Sequence, residues 1–161
     1  MDHCNFSNYN SAAIQSEDNY SVLSILNSSF SPSGYDKSIE TVNTFLVIEN
    51  TQIDGGYRGV EVHAGSLDID GLTVSNVETG VYVADATGYD RTIKNSYFNN
   101  CSNAGVYISG GCNLVIEDSQ FISNYRGVYS DNGAYLEVTG TDFEGNSDIG
   151  IYFNQQNSSY L

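Results

Sequence analysis

Two sets of residues in this 161-residue chain have types and spacings that bear on chemistry. The first is built on carboxylates. Asp68 and Asp70 alternate with apolar residues in Leu67-Asp68-Ile69-Asp70, and Glu49 and Lys94 hold the matching place in the similar segments Val47-Ile48-Glu49 and Thr92-Ile93-Lys94. Glycoside hydrolysis needs two carboxyl groups roughly 5 to 10 Å apart, one as acid and one as base or nucleophile. Glu49, Asp68, Asp70 and Lys94 are therefore the catalytic candidates, although any acidic strand pair meets that spacing. The second set is aromatic. Tyr82, Tyr107, Tyr129 and Tyr152 each follow Gly-Val or Gly-Ile. A phenol joins an apolar ring to a polar tip, a combination that suits a sugar, so these four are the ligand-binding candidates.

Composition narrows the partners. Twenty acids face five bases, for a net charge of -15. A nucleic-acid partner is excluded because backbone binding needs a Lys/Arg footprint, and anionic lipid is disfavoured for the same reason. No apolar run is long enough to span a bilayer. The Met1-Asp2-His3-Cys4 opening has neither the basic nor the apolar region of a signal peptide. Sixteen Gly, thirteen Tyr and a single Pro favour short strands and tight turns over helices. Cys4, Cys101 and Cys112 form no CxxC pair, and an odd, sparse set reads as free thiols.

The elements that must position the candidates are repeats. Ile48-Glu49-Asn50-Thr51-Gln52-Ile53 recurs as Ile69-Asp70-Gly71-Leu72-Thr73-Val74, Ile93-Lys94-Asn95-Ser96-Tyr97-Phe98, Ile116-Glu117-Asp118-Ser119-Gln120-Phe121 and Val138-Thr139-Gly140-Thr141-Asp142-Phe143. Ile25 to Phe30 and Met1 to Phe6 fit the same pattern. A Gly-Val-x-Val unit follows at a nearly fixed distance, as in Gly59-Val60-Glu61-Val62 and Gly80-Val81-Tyr82-Val83. A period of roughly 22 residues without a helical face predicts an all-β solenoid of about seven coils, each stacked about 4.8 Å from the next. The whole chain, 1–161, then forms one domain.

Alternation within each strand predicts the faces. Leu23, Leu46, Leu67, Leu114 and Leu136 point inward, as do Ile25 through Val138 and the Phe6-to-Phe143 column. Cys4, Ser28, Thr51, Leu72, Ser96, Ser119 and Thr141 form a small inward column. Arg91 falls in the leucine column, so that coil is expected to deform there. Asn100, Asn124 and Asn146 follow the Phe of their coils by two or three residues and form one group. Asn5, Asn19, Asn27, Asn100 and Asn157 stand in Asn-x-Ser/Thr triplets that chance alone explains in so Asn- and Ser-rich a chain.

With these units the chain resembles the single-stranded right-handed parallel β-helix proteins, the pectin-lyase-like superfamily. The resemblance runs from Met1 to about Phe153 and rests on the Ile-x-Asn-Ser-x-Phe and Gly-Val-x-Val repeats. It implies three parallel sheets and turn asparagines that hydrogen-bond from coil to coil. It also implies that an enzyme site would lie on the outer face of the first sheet, where Glu49, Asp70, Lys94 and Glu117 share a column. The catalytic motifs of the superfamily are absent. Where its pectate lyases carry Trp-Ile-Asp-His, this chain has Val47-Ile48-Glu49-Asn50 and Asp68-Ile69-Asp70-Gly71. The Gly-His-Gly of its polygalacturonases has no counterpart, because His63 lies in Val62-His63-Ala64. The Asp-Pro-His of its alginate epimerases is missing too, the lone Pro32 lying in Ser31-Pro32-Ser33. Links between coils are short, the longest being Ala84 to Asp90, so no deep cleft is expected.

No cofactor is implied. Calcium is the one ion admitted, as a bridge between this acidic surface and a polyuronate, although Asp68-Ile69-Asp70-Gly71 falls on a strand and lacks the closing acid of a calcium loop. The favoured reading is a non-catalytic extracellular or cell-surface module that recognises a glycan or a surface partner. A polysaccharide lyase or glycoside hydrolase is the alternative, and a structural spacer stands in reserve. Missing end caps lead us to expect flanking domains of a longer protein, or end-to-end stacking of chains.

Overall fold

The computed structural model describes residues 1–17, 21–84, 88–131 and 135–154. Residues 85–87 of the longest link, and Asn19 and Asn157 of the acceptor triplets, lie outside the described residues. The described strands form three parallel sheets, and no helix occurs among them. The first sheet holds Val22–Leu26, Phe45–Glu49, Leu67–Asp70, Arg91–Lys94, Asn113–Glu117 and Tyr135–Thr139. The second holds Asn5–Ser7, Ser29–Ser31, Gln52–Asp54, Thr73–Ser75, Tyr97–Asn99, Gln120–Ile122 and Asp142–Glu144. The third holds Ala12–Glu17, Lys37–Val42, Arg58–His63, Thr79–Ala84, Ala104–Ile108, Arg126–Ser130 and Ile149–Phe153. With six, seven and seven strands, the described chain completes six turns of a solenoid and most of a seventh.

The turn between the first and second sheets explains the Asn/Asp/Gly column. His3, Asn27, Asn50, Gly71, Asn95, Asp118 and Gly140 all have φ between 46° and 75°. That left-handed conformation is open to glycine and to short side chains that hydrogen-bond locally. One residue later comes the small column. Its hydroxyls do two jobs. Ser96 Oγ accepts the Leu72 N–H at 3.2 Å and donates to the Lys94 carbonyl at 2.7 Å. Ser119 Oγ accepts the Ser96 N–H at 3.1 Å and donates to the Glu117 carbonyl at 2.8 Å. Ser28, Thr51, Ser96 and Ser119 are buried, and so is Leu72, the one aliphatic residue in that column.

Inside, like stacks on like. Phe98 and Phe121 lie 4.7 Å apart with rings 6° from parallel, and Phe121 and Phe143 lie 5.0 Å apart at the same angle. Phe6 stacks on Phe30 at 4.7 Å. Between these pairs the column narrows to Ile53 and Val74, both buried. The repeated glycine before Val60, Val81, Val106 and Val128 leaves room for the phenylalanine column. A Cβ on Gly105 would lie 2.6 Å from Phe121 Cδ1 and 2.8 Å from the Gly127 carbonyl oxygen.

Two expectations are corrected. Arg91 does not deform its coil away from the sheet. It keeps register opposite Leu67, is 2% exposed, and turns its side chain so that Nε donates to the Gly65 carbonyl at 2.9 Å. Burial pulls its guanidinium pKa below the ordinary value. Asn100 does not belong with Asn124 and Asn146. Those two form the amide row: Asn146 Nδ2 donates to the Phe121 carbonyl, Asn124 Nδ2 to the Phe98 carbonyl, and Asn124 Oδ1 accepts the Cys101 N–H at 2.9 Å. Cys101 therefore holds the equivalent place, and Asn100 sits one residue earlier, exposed and left-handed with φ 55°. All three cysteines are free thiols, and burial pushes Cys101 up to about 12.

Phe121 is fully buried between two stacked neighbours. Phe121→Ala is expected to lower stability by about 3 to 5 kcal/mol, because the flanking rings cannot collapse into the space it leaves. Thermal or denaturant unfolding measures this, and an unchanged midpoint would contradict the packing described.

Candidate functional site

The outer face of the third sheet carries one unbroken column. In Gly-Val-x-Val the aliphatic residues face inward and x faces outward, and parallel pairing aligns the x residues of successive coils. Gln15, Glu40, Glu61, Tyr82, Tyr107, Tyr129 and Tyr152 are paired in that order. The four tyrosine rings stand 5.3, 4.9 and 4.8 Å apart, tilted by 33°, 38° and 7°. Each ring thus spends its faces largely on its neighbours, and the stripe turns ring edges and phenol oxygens outward.

Two arginines brace the stripe. The Arg58 guanidinium carbon lies 3.8 Å from the Tyr82 ring centre. That of Arg126 lies 4.6 Å from the Tyr129 ring, and Arg126 Nε donates to Asp148 at 2.9 Å. Such cation–π contacts hold a ring at fixed orientation and contribute about 0.5 to 2 kcal/mol each. Tyr107 donates its phenol proton to Asp131 at 2.9 Å. Burial, and then the Asp131 carboxylate, push its pKa well above the ordinary phenol value. The stripe is therefore uncharged at neutral pH at Tyr107, its centre.

The acidic start of the same column is not a solvated face. Glu61 is only 3% exposed. Lys37 Nζ lies 2.8 Å from its Oε2, His63 Nε2 lies 2.7 Å from its Oε1, and Arg58 pairs with Oε1 as well. Lys37 also bonds Glu40 at 2.6 Å. Burial alone would raise the Glu61 pKa, but Lys37, His63 and Arg58 outweigh it and hold the carboxyl below its usual range. Glu40, Glu61 and His63 bring possible ligand atoms within 4.8 Å of one another. Lys37 and Arg58 already supply the positive charge there, so a metal ion would have to displace both.

On the first sheet, Glu49, Asp70, Lys94 and Glu117 fall in one register column as expected. Lys94 Nζ bonds Glu117 Oε2 at 3.1 Å, and that contact raises its pKa. Asp68 accepts from the Thr92 hydroxyl and Asp70 from the Asn95 amide, both at 2.7 Å. Asp68 borders a depression of about 320 Å³ shared with Phe45, Ser66, Asp90 and Thr92. Asp68 and Asp70 lie on the strand Leu67–Asp70, both exposed. The structure thus brings the catalytic candidates onto one face, in hydrogen bonds to neighbours of ordinary type.

What the residue pattern did not disclose is the bracing set: Lys37, Arg58, Glu61 and Arg126. One signal was present. The duplicated Tyr57-Arg58-Gly59-Val60 and Tyr125-Arg126-Gly127-Val128 place an arginine beside the stripe at each end.

A solenoid of three parallel sheets, with repeated inward ladders and no catalytic motif, defines a β-helix repeat protein. The family model described as "Right handed beta helix region" matches residues 58–161. The chain belongs to that family. No curated protein matches it.

The Glu61 cage generates a prediction. Glu61→Gln leaves Lys37 and Arg58 without their shared carboxylate and is expected to cost about 1 to 3 kcal/mol. Because the folded pKa of Glu61 is lowered, its contribution is complete above the ordinary carboxylate range and is lost as pH falls through the folded value. Melting curves taken from pH 7 down to pH 3 should fall less steeply for the variant than for the wild type. Parallel curves would show that the cage does not carry the acid dependence.

Proposed function

We propose that this β-helix is a non-catalytic recognition module working outside the cell or at its surface, and that its third-sheet face binds a neutral glycan. One observation carries the reading: Tyr82, Tyr107, Tyr129 and Tyr152 stand in register on the outer face of the third sheet, with Arg58 bracing the Tyr82 ring and Arg126 the Tyr129 ring. A regular row of phenol oxygens and ring edges matches a polymer that repeats hydroxyls along its length. Bracing lowers the entropy cost of using those side chains. The acidity of the chain, -15 overall, opposes anionic ligands. A polyuronate would need bridging calcium.

A carbohydrate-active enzyme is the second reading, favoured by the depression at Asp68 and Asp90 and by the register of Glu49, Asp70 and Lys94. The recognition reading is preferred because Glu49, Asp68 and Asp70 stand exposed, whereas sites that exclude water strengthen the electrostatic interactions catalysis uses.

Calorimetry against a panel of neutral oligosaccharides tests the proposal with wild type, Tyr107→Ala and Tyr129→Ala. Binding that is lost in both variants, while both still fold and unfold cooperatively, is the expected result. Equal affinity in all three proteins would make the stripe structural. Product formation by the wild type that stops in Asp70→Asn would promote the enzyme.

A further inference from the structure

A groove of about 340 Å³ runs beside the turn between the second and third sheets, off the tyrosine stripe and sharing none of its residues. Tyr35 forms one wall. Its ring is 68% exposed, yet it is fixed from behind. It packs against Tyr57, with ring centres 4.7 Å apart and planes tilted by 30°, and the Tyr57 phenol oxygen accepts from Arg58 at 3.1 Å. An aromatic ring that is both open and held offers a contact surface at little cost in conformational entropy. The groove also takes in Gly56, where only glycine fits: φ is +106°, and a Cβ would lie 2.6 Å from the Asp36 carbonyl oxygen and 2.8 Å from Pro32 Cγ. Bare backbone there lets the link that carries Tyr35 pack close against this coil.

The same groove is lined by a polarised row of amides. Asn76 Nδ2 donates to Asp54 Oδ1 at 2.6 Å, and Asn100 Nδ2 donates to Asn76 Oδ1 at 2.7 Å. An ionised carboxylate only accepts, so Asp54 fixes the direction of the whole row. Each amide points its nitrogen back toward the preceding coil and keeps a second N–H, and the row ends in the carbonyl oxygen of Asn100. Glu78 and Ser102 add an acceptor and a hydroxyl to the same groove.

We propose that this groove is a binding site for a neutral saccharide, with Tyr35 as the stacking platform and the amides of Asn76 and Asn100 reading the hydroxyls. A pyranose presents apolar C–H groups on its face and, around its edge, hydroxyls that each donate and accept. The groove offers the counterpart of both: an exposed aromatic ring in the same lining as a row of donors and acceptors spaced about 4.8 Å apart, one coil per amide. Asp54 and Glu78 turn away carboxylated or sulfated sugars by like-charge repulsion. This site stands whether or not the third-sheet stripe binds a ligand.

Amide shifts of the ¹⁵N-labelled protein, followed while tetrasaccharides of glucose, mannose or galactose are added, test the proposal. Saturable shifts at Gly56, Asn76 and Asn100 are expected with at least one probe. Tyr35→Ala and Asn100→Gly should each weaken that binding by about tenfold or more. Neither variant threatens the fold, since Tyr35 is exposed and glycine keeps the left-handed backbone at position 100, as Gly145 does in the equivalent turn. Tyr107→Ala should leave the groove shifts untouched, which separates this site from the stripe. No saturable shift at these amides up to about 10 mM of every probe, or shifts that survive both groove variants, would overturn it.

Discussion

Backbone hydrogen bonding between successive coils constrains everything else in this molecule. Parallel pairing puts each residue one strand spacing from its counterpart in the next coil, so a side chain is chosen for its neighbours above and below as much as for its own face. Apolar residues meet this constraint easily, and the Phe98, Phe121 and Phe143 rings stack nearly parallel. Hydroxyls meet it by accepting from one coil and donating within their own, as Ser96 and Ser119 do. Charges do not stack freely. Where Glu40 and Glu61 fall in one column, Lys37 and Arg58 fold across to hold them. Where Asp70 precedes Glu117 by two coils, Lys94 stands between them. The placement of Lys37, Arg58 and Lys94 in so acidic a chain follows from this need.

The same constraint explains why the architecture was legible in the residues. A period detected once assigns faces throughout, and the leucine, isoleucine and phenylalanine columns read from Leu46, Ile48 and Ile53 are buried in the inner coils and half-buried toward the ends, at Phe6, Leu23, Leu136, Val138 and Phe143. Legibility ended where neighbouring positions accept the same residue type for different reasons. Asn100 and Asn124 stand one place apart in their coils. The first is chosen for a left-handed backbone and the second for an amide that bridges coils. Composition cannot separate those uses. Arg91 shows a related limit. Its charge suggested a break, but a long side chain can leave a ladder while its backbone stays in it.

The candidate sites follow this division. The tyrosine stripe was visible because it is a column. The cage around Glu61 was not, because Lys37 and Arg58 reach it from a neighbouring column on two coils. The groove at Tyr35 was invisible for another reason: Tyr35 lies in an irregular link, outside the repeat that made the rest readable. Candidate sites on such a scaffold are split between faces that periodicity defines and edges that it does not.

Leu72 and Val74 give the repeat a further property. In their coil the small inward column holds a leucine and the phenylalanine column holds a valine, whereas the next coil pairs Ser96 with Phe98. Bulk has moved from one side of the cross-section to the other while the perimeter stayed filled. A coil is therefore not an interchangeable brick. Its inward set must be inherited together, and a duplication or recombination whose breakpoint falls between positions 72 and 74 would unite serine with valine, or leucine with phenylalanine. The first union leaves a hole and the second a collision. Growth of the rod by copying whole coils is open to evolution, and shuffling within one is closed.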